Sequence, residues 1–596
     1  MKAKLITLAI SAVLVSTGQA GSIEFTGVKT PESSIEKHVI LSSQYAFVDG
    51  EQIPISYNTI LRSGEKAASK KSAVFGELTD VNGDPILSED GSTQISNSND
   101  FSSLLIGSKE PNKKILYMVS HFESRPGSMF LTKLKQDQKT GKLTAKNTRP
   151  LDFSHVRGNW VPCAGSVTPW GTHLGSEEYE PDAAARDPQT GSINSYYDAM
   201  AAYYGGDLLE LNPYDYGFVV EVAVENWKNV QVMKHYAMGR VAIELAYVMP
   251  NSRTAYISDD GTNVGFYRFE ADHPEDLSSG ELFAAKWMQN SSEGVGSANL
   301  EWISLGHASN SQIKEYLDSG ITFDDIFASE EPVGNSCSTG FKSINTTRGH
   351  ECLKLKPGMA LAASRLETRR YAAMKGATTE WRKMEGITFN PDTNQLYLAM
   401  SEVARGMEDN AKNGEPNDKY DIGGGNHIRV NFNRCGAVYA LDVDQDYTAH
   451  NMYGLISGNP TTAYDPDSEL PAYDPDGPLA NNKCDVNAIA NPDNITFMPG
   501  YNTLIIGEDT GSGHQNDIVW SFNLDSGTLT RIQTTPYGSE TTSPYFYPNL
   551  NGHAYLMSVI QHPYGESDSD KADELENPDT AKAAYTGYIG PFPPMD

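Results

Sequence analysis

Positive charge is scarce along this chain of 596 residues. It has 46 Lys and Arg residues against 77 Asp and Glu residues, a formal net charge of −31. Proteins that bind nucleic acids depend on cations that contact phosphates, so this composition excludes nucleic acid as a partner. After the N-terminus no apolar run reaches the about 20 residues that a membrane-spanning helix needs, and we expect no membrane span.

Several common catalytic motifs are also missing from the sequence. It contains no Gly-x-Ser-x-Gly elbow, no His-Glu-x-x-His helix and no Walker A loop with its lysine. These motifs mark the usual serine hydrolases, zinc proteases and nucleotide hydrolases. Any catalytic chemistry must therefore come from another arrangement of residues.

The first twenty residues have the pattern of a secretory signal peptide. Lys2 and Lys4 precede an apolar stretch, and Gly18 and Ala20 occupy small-residue cleavage positions. No arginine pair is present there, which favours Sec-type export. We expect residues 1–20 to be removed and the mature protein to be periplasmic or extracellular.

The remaining sequence is typical of an all-β fold. Short β-branched or aromatic runs end in Gly, Asn, Asp or Pro, as at 254–261, 395–402, 503–511, 518–527 and 554–563. Helical spacing is confined to inserts at 197–206, 313–328 and 361–376. We predict one β-propeller domain over residues 21–596, with inserts near 305–380 and 455–485.

A repeated chemical pattern supports the propeller. A potential metal ligand is followed by a strand and then by an acid: Cys163 with Glu178, Glu244 with Asp259, Glu385 with Glu402, Asp493 with Glu508, and Glu540 with Gln561 and His562. Single acids at strand ends are ordinary turn residues, but three of these ends carry doubled acids. In a propeller such positions converge on one channel, where bound cations would relieve the repulsion between carboxylates.

The motifs themselves resemble those of a known family. The segment CAGSVTPWGTHLGSEE (163–178) is similar to the signature of PhoX-type alkaline phosphatases, and GRVAIE (239–244), MEGITF (384–389), NPDNITF (491–497) and IGEDTG (506–511) resemble its later blocks. The resemblance spans about residues 155–563. It implies a six-bladed propeller phosphatase with Fe³⁺ and Ca²⁺ at its centre and one cysteine that binds iron.

The repeated pattern and the resemblance together give a set of expected site residues. The expected metal ligands are Cys163, Glu178, Glu244, Asp259, Glu385, Asp493, Glu508, Asp509 and Glu540. Where the family commonly has Arg-x-Glu, this chain has Lys383-Met384-Glu385, preceded by Arg382. Lysine cannot make the planar bidentate contact of a guanidinium with phosphate, so we expect Lys383 or Arg382 to bind substrate, with Arg369 and Arg370 as alternatives.

The five cysteines permit two disulfides and one free thiol. Cys163 lies apart from the others and matches the family's iron ligand. Cys337 and Cys352 lie 15 positions apart within one insert, and Cys435 and Cys484 flank the other. We therefore expect disulfides 337–352 and 435–484.

The leading hypothesis is a secreted, monomeric phosphatase that hydrolyses phosphate monoesters at a central Fe/Ca cluster, with a metal-bound oxide or hydroxide as nucleophile. One alternative is a calcium-dependent propeller lactonase or esterase. Another is a non-catalytic, metal-stabilised binding propeller whose inserts contact a partner.

Overall fold

A computed structural model describes residues 21–109, 115–565 and 582–595. The expected signal peptide, 1–20, lies outside the described residues. Strands dominate the described ranges, so the prediction of an all-β fold is confirmed. Among the helices in these ranges, none combines the length and the apolar character that crossing a membrane requires.

The N-terminal segment contributes strands to three different sheets. Its elements are β1 (Ile23–Phe25), α1 (Ser34–Lys37), β2 (Leu41–Ser42), β3 (Tyr45–Val48), β4 (Glu51–Pro54) and β5 (Ser56–Arg62). Strands β1, β3 and β4 form a small antiparallel sheet. The other two strands join sheets formed near the C-terminus.

Three groups of four antiparallel strands follow. The first is β6 (Asn99–Ile106), β7 (Leu116–Phe122), β8 (Ser128–Gln136) and β9 (Leu143–Pro150). The second is β10 (Ser166–Val167), β11 (His173–Gly175), β12 (Val220–Asn226) and β13 (Asn229–Lys234), with α2 (Ser195–Asp198) between β11 and β12. The third is β14 (Ile243–Val248), β15 (Thr254–Asp259), β17 (Phe266–His273) and β18 (Asp276–Ser291), with the short β16 (Thr262–Val264) and the additional β19 (Ser297–Ser309).

An insert with helices separates the third group from the fourth. It contains α3 (Asn310–Asp318), α4 (Phe323–Ile326), β20 (Phe327–Glu330), β21 (Lys342–Thr346), β22 (Gly349–Leu355), α5 (Ala360–Leu366), α6 (Thr368–Met374) and β23 (Trp381–Arg382). The helix predicted over 313–328 is shorter than expected, because Gly320 has a left-handed φ of 71° that ends it. The helix predicted over 361–376 is divided into α5 and α6. At 197–206, α2 continues into a 3₁₀ helix over 199–204.

The remaining groups complete the fold. The fourth is β24 (Met384–Asn390), β25 (Gln395–Met400), β28 (Ala437–Asp442) and β29 (Asn451–Ser457), with β26 (Ala411–Lys412) and β27 (Glu415–Pro416) in a loop. The fifth is β30 (Pro492–Met498), β31 (Thr503–Glu508), β32 (Ile518–Asn523) and β33 (Leu529–Thr534), extended by β2. The last is β34 (Glu540–Tyr547), β35 (Ala554–Gln561) and β36 (Tyr585–Phe592), whose fourth strand is β5.

The first strand of each group, or in the second group β10 and β11, contacts the neighbouring groups in a closed cycle. Strand β6 lies against β11, β14 against β10 and β11, β24 against β14, β30 against β24, β34 against β30, and β6 again against β34. The groups also share cores: Leu396 and Leu398 of β25 face one hydrophobic cluster, while Tyr397 and Ala399 face the next. Such alternation buries both faces of a strand, which explains the continuous apolar runs in the sequence. The interpretation of the groups as six blades stays a prediction.

Both expected disulfides are present in the structure. Cys337 bonds to Cys352, and Cys435 bonds to Cys484, whereas Cys163 has a free, buried thiol. Strand pairing places Cys352 opposite Ser343 in the small sheet of the insert. The second disulfide joins the segment before β28 to the loop between the fourth and fifth groups.

Candidate metal centre

A cavity of about 630 Å³ is lined by residues at the starts of the first strands, by the segments before these strands and by the loops after the second strands. Most of its charged lining residues are acids. They are Glu123, Glu178, Glu244, Asp260, Glu385, Asp493, Asp509 and Glu540, together with the thiol of Cys163. We call this the acidic cavity. It brings together seven of the nine expected metal ligands.

In four of the groups the same backbone conformation precedes the candidate metal ligand. Val161, Lys383, Asn491 and Gly538 have positive φ values of 36°, 47°, 43° and 59°. Each lies two positions before Cys163, Glu385, Asp493 or Glu540, respectively. Positive φ is unfavourable for residues other than glycine, most of all for β-branched valine, and such strain clusters at functional sites.

The candidate ligand atoms form three overlapping triads. These are Asp100–Glu123–Cys163, Cys163–Glu178–Glu244 and Glu244–Glu385–Asp493, and within each the ligand atoms lie within 4.8 Å of one another. Cys163 and Glu244 each belong to two triads. The arrangement therefore suits several neighbouring cations rather than one isolated ion.

The two acids of each doubled pair have different surroundings. Glu177 accepts a 3.1 Å hydrogen bond from the Trp160 amide and pairs with Lys234 Nζ at 2.8 Å, while Glu178 lines the acidic cavity. In the same way Asp260 lines the cavity and Asp259 turns away from it. The first acid of each pair binds the surrounding protein, and the second faces the cavity.

Two expected ligands consequently lie outside the cavity. Asp259 Oδ2 accepts a 2.8 Å hydrogen bond from Arg369 Nε, an ion pair buried beneath the cavity wall. Glu508 accepts hydrogen bonds from Trp520 Nε1 at 2.6 Å and His514 Nδ1 at 2.9 Å. Of the second pair, Asp509, which was also expected to be a ligand, lines the cavity, whereas at the first pair the cavity residue is Asp260 and only Asp259 was expected.

Lys383 and Arg382 also occupy different surroundings. Lys383 Nζ lies inside the acidic cavity, 3.2 Å from Glu385 and 3.6 Å from Asp509. Arg382 does not line this cavity, and its Nε donates a 2.8 Å hydrogen bond to Glu402. Of these two neighbours, Lys383 is the one that can reach a ligand among the acids.

The two alternative arginines are engaged elsewhere. Arg369 pairs with Asp259 and Glu180, and Arg370 pairs with Glu351, Asp182 and Glu367. All these partners are at most 17% exposed. We therefore assign both arginines to the support of the cavity wall.

Burial and mutual repulsion raise the pKa values of most acids in the cavity. The pKa values of Glu178, Glu244, Asp493 and Glu540 lie well above the usual range, and that of Glu385 is raised to about 7. Burial alone would lower the pKa of Lys383, but Asp260, Glu385 and Asp509 raise it well above its usual range. Lys383 therefore stays positively charged in a site where acidic side chains far outnumber basic ones.

The donor set fits metal ions. Asp260 Oδ1 is buried and has no hydrogen-bond partner among the described residues. Burial, followed by the nearby Glu244 and Asp100, raises the pKa of the Cys163 thiol, so it needs a bound cation to be a thiolate. Carboxylate oxygens suit Ca²⁺, and a single thiolate among them suits a transition metal better than structural zinc.

Sequence reasoning missed several residues of this site. Asp100 on β6 and Glu123 after β7 repeat the pattern of ligand, strand and acid, but the loop between their strands lengthens the spacing to 23 positions. Arg125 lines the acidic cavity without any motif to mark it. His562, by contrast, was part of the sequence pattern with Glu540; it lines the acidic cavity, and its Nε2 lies 3.3 Å from Glu540.

Comparison with solved structures finds a similar fold over nearly the whole chain. Pseudomonas fluorescens PhoX, in complex with vanadate, a transition state analogue, has a TM-score of 0.59 and 15% identity, and the match covers 96% of this chain and 98% of that chain. A Pseudomonas aeruginosa periplasmic gluconolactonase has a TM-score of 0.29 and 11% identity, covering 81% and 97%. The latter likeness is too weak to support any inference.

Sequence comparison gives the family. No curated protein sequence matches the chain. The sequence model of the family described as alkaline phosphatase PhoX matches residues 138–564. This match contains Cys163 and the cavity acids from Glu178 to Glu540, and it includes most of the chain. The chain therefore belongs to the PhoX family of alkaline phosphatases.

Proposed function

We propose that this phosphatase hydrolyses phosphate monoesters in the acidic cavity with the help of bound Fe³⁺ and Ca²⁺. The observation that supports the proposal most directly is the excess of buried acid over base around one cavity of about 630 Å³. A phosphate dianion cannot enter such a site against its carboxylates alone. Cations must first reverse the local charge.

The ligands divide by chemistry. Cys163 is the soft donor, so it and the carboxylates that share its triads, among them Glu244, would hold iron. The carboxylates Glu385, Asp493 and Asp260 would hold calcium. When bound, these cations neutralise the charge of the phosphoryl group and provide the oxygen nucleophile.

Lys383 would bind the phosphate from the protein side. Its position among Glu385, Asp509 and Asp260 aims the ammonium group into the cavity. In the reaction the ester P–O bond breaks, a P–O bond to oxygen from water forms, and the released alcohol takes up a proton. Lys383 can stabilise the added negative charge during this exchange.

The wider setting is part of the same proposal. We interpret the six groups of strands as blades around one channel, which makes residues 21–596 one domain with two inserts. The two disulfides suit an oxidising compartment. A secreted or periplasmic, monomeric enzyme exported by a Sec-type signal peptide fits these features.

Elemental analysis together with a phosphatase assay tests the proposal. Purified protein should contain both iron and calcium and should release phosphate from phosphate monoesters. Chelation should abolish turnover, and addition of both metals should restore it. Full turnover by metal-free protein would contradict the proposal, and so would a metal-loaded protein that hydrolyses lactones but no phosphate ester.

A further inference from the structure

A second cavity adjoins the acidic cavity. It has a volume of about 470 Å³ and shares Tyr179 and Asp260 with its neighbour. Its aromatic lining consists of Trp160, Tyr179, Tyr196 and Tyr197. We call it the aromatic pocket. The Tyr179 hydroxyl donates a 2.9 Å hydrogen bond to Asp260 Oδ2, so the boundary between the cavities is a tyrosine ring.

Two of these rings face open space. Tyr179 and Tyr196 are 42% and 36% exposed, although large aromatic side chains in a folded protein are usually much more buried. Their ring centroids lie 6.2 Å apart in an edge-to-face arrangement, and Trp160 lies 5.7 Å from Tyr196. This packing holds apolar ring surface in place for a further aromatic group.

Arg125 connects the aromatic pocket with the site of reaction. Its guanidinium lies 3.8 Å from the centroid of the Tyr196 ring, while the same residue lines the acidic cavity. Arg125 Nε is buried and has no hydrogen-bond partner among the described residues. A substrate with its phosphate in the acidic cavity would therefore extend past Arg125 and Tyr179 into the pocket.

Each arginine that lines the pocket is paired with at least one carboxylate. Arg348 lies 3.6 Å from Glu180 and 3.5 Å from Asp182, Arg369 pairs with Glu180 and Asp259, and Arg382 pairs with Glu402. Because these arginines are already paired with carboxylates, they are not available to bind a second phosphate group. An uncharged ring suits this lining better than an anion.

We propose that the aromatic pocket binds the alcohol part of the substrate, and that the enzyme prefers phosphate monoesters whose alcohol carries an uncharged aromatic ring. This inference rests on the proposed phosphatase function and adds a substrate class to it. Stacking of a ring on exposed tyrosine is tolerant of the ring's identity. The preference is therefore for a chemical class rather than for one compound.

Two probes isolate the contribution of the ring. Adenosine 5′-monophosphate and ribose 5-phosphate both release a primary alcohol at the same ribose carbon, but only the first carries a base. With the metal-loaded enzyme, we expect kcat/KM to be about tenfold higher for the first, as expected for one stacked base. Equal values for the two probes would overturn the inference while leaving the phosphatase function intact.

Substitutions assign the preference to the pocket. Tyr196→Ala should reduce the ratio of the two kcat/KM values toward one, and Tyr196→Phe should retain it. Tyr45→Ala is a matched control, since Tyr45 is 39% exposed but lies in the small N-terminal sheet. A ratio that survives Tyr196→Ala would show that the base binds elsewhere and would contradict the assignment.

A binding measurement needs no turnover at all. Saturation-transfer NMR with adenosine, which has no phosphate, should show transfer to the adenine protons with the wild-type protein and clearly less with Tyr196→Ala. Ribose should show little transfer with either protein. Failure of hydrolysis with retained adenosine binding would contradict the phosphatase proposal alone, whereas hydrolysis of both phosphate esters without adenosine binding would contradict the aromatic pocket alone.

Discussion

Lys383 and Glu385 are separated by one position, and Lys383 Nζ lies 3.2 Å from Glu385 Oε1 inside the acidic cavity. The left-handed backbone at Lys383 is fixed on both sides, since its amide donates to the Gly261 carbonyl at 2.8 Å and its carbonyl accepts from the Ser401 amide at 3.1 Å. The cation is therefore held by neighbouring strands as well as by the acids around it.

Replacement of Lys383 tests its contact with phosphate. Lys383→Ala should reduce kcat/KM for phosphate monoesters by one to two decades, because one charge-assisted hydrogen bond contributes about 1.5–3 kcal/mol. Steady-state kinetics with parallel metal analysis measures the effect. Exposed Lys375→Ala is the control, and Lys383→Arg should retain more activity than Lys383→Ala. Wild-type kinetics in Lys383→Ala would rule out the contact.

The doubled acids can be separated by one pair of variants. Asp259→Asn removes the buried partner of Arg369 and should reduce the free energy of unfolding by roughly 3 kcal/mol. Asp260→Asn should instead lower the metal content, with a smaller effect on the stability of metal-free protein. Denaturant unfolding of metal-free protein and elemental analysis measure the two effects. Loss of stability in Asp260→Asn together with loss of metal in Asp259→Asn would contradict these different roles of the two acids.

Alkylation tests whether Cys163 binds a metal ion. Its thiol lines the acidic cavity and shares triads with four carboxylates. A bound metal would hold it as a coordinated thiolate, so alkylation by iodoacetamide without reductant should be slow with metal-loaded protein and faster after chelation and mild unfolding. Mass spectrometry of peptides locates the label. Equal labelling of metal-loaded and metal-free protein, both in the folded state and after mild unfolding, would argue against coordination by Cys163.

Glu380 predicts a dependence of stability on pH away from the metal centre. It accepts a 2.7 Å hydrogen bond from the Ile428 amide, and burial raises its pKa to about 8. Since this pKa exceeds the value in the unfolded chain, the folded protein retains a proton that the unfolded chain releases, and stability falls as pH rises from about 4.5 to about 8.

Glu380→Gln should remove this loss. The amide oxygen can still accept from Ile428, so the variant should gain at least about 1 kcal/mol over the wild type at pH 8.5 relative to pH 5. Thermal unfolding at the two pH values measures the difference. Exposed Glu301→Gln should leave it unchanged. An identical pH profile in wild type and Glu380→Gln would mean that the buried carboxyl does not titrate in this range.

The sequence predicted the strands well because buried strands need apolar residues on both faces. At 395–402 and 503–511 the apolar runs become β25 and β31, and Asp509, which follows β31, lines the cavity. The direction of each acid could not be predicted in this way. Whether Asp259 or Asp260 faces inward depends on Arg369, which comes from an insert 110 positions away in sequence.

Sequence patterns could not predict Arg125 or the aromatic pocket, for a related reason. Tyr179 follows β11, Tyr196 lies on α2, and Arg125 follows β7, so the rings and the guanidinium meet only when two groups of strands come together. No local spacing relates them. The disulfides were easier to predict, because each closes a segment whose ends are visible in the sequence.

Contacts between the last group of strands and the first determine when the site can form during biosynthesis. Asp100, near the start of the cycle, receives hydrogen bonds from Thr542 Oγ1 at 2.7 Å and Ser543 Oγ at 3.0 Å, near its end. A nascent chain therefore lacks a finished cavity until almost all of it has been synthesised. Metal loading must follow synthesis of β34 and β35, and a product truncated before β34 should remain open between the fifth group and the first.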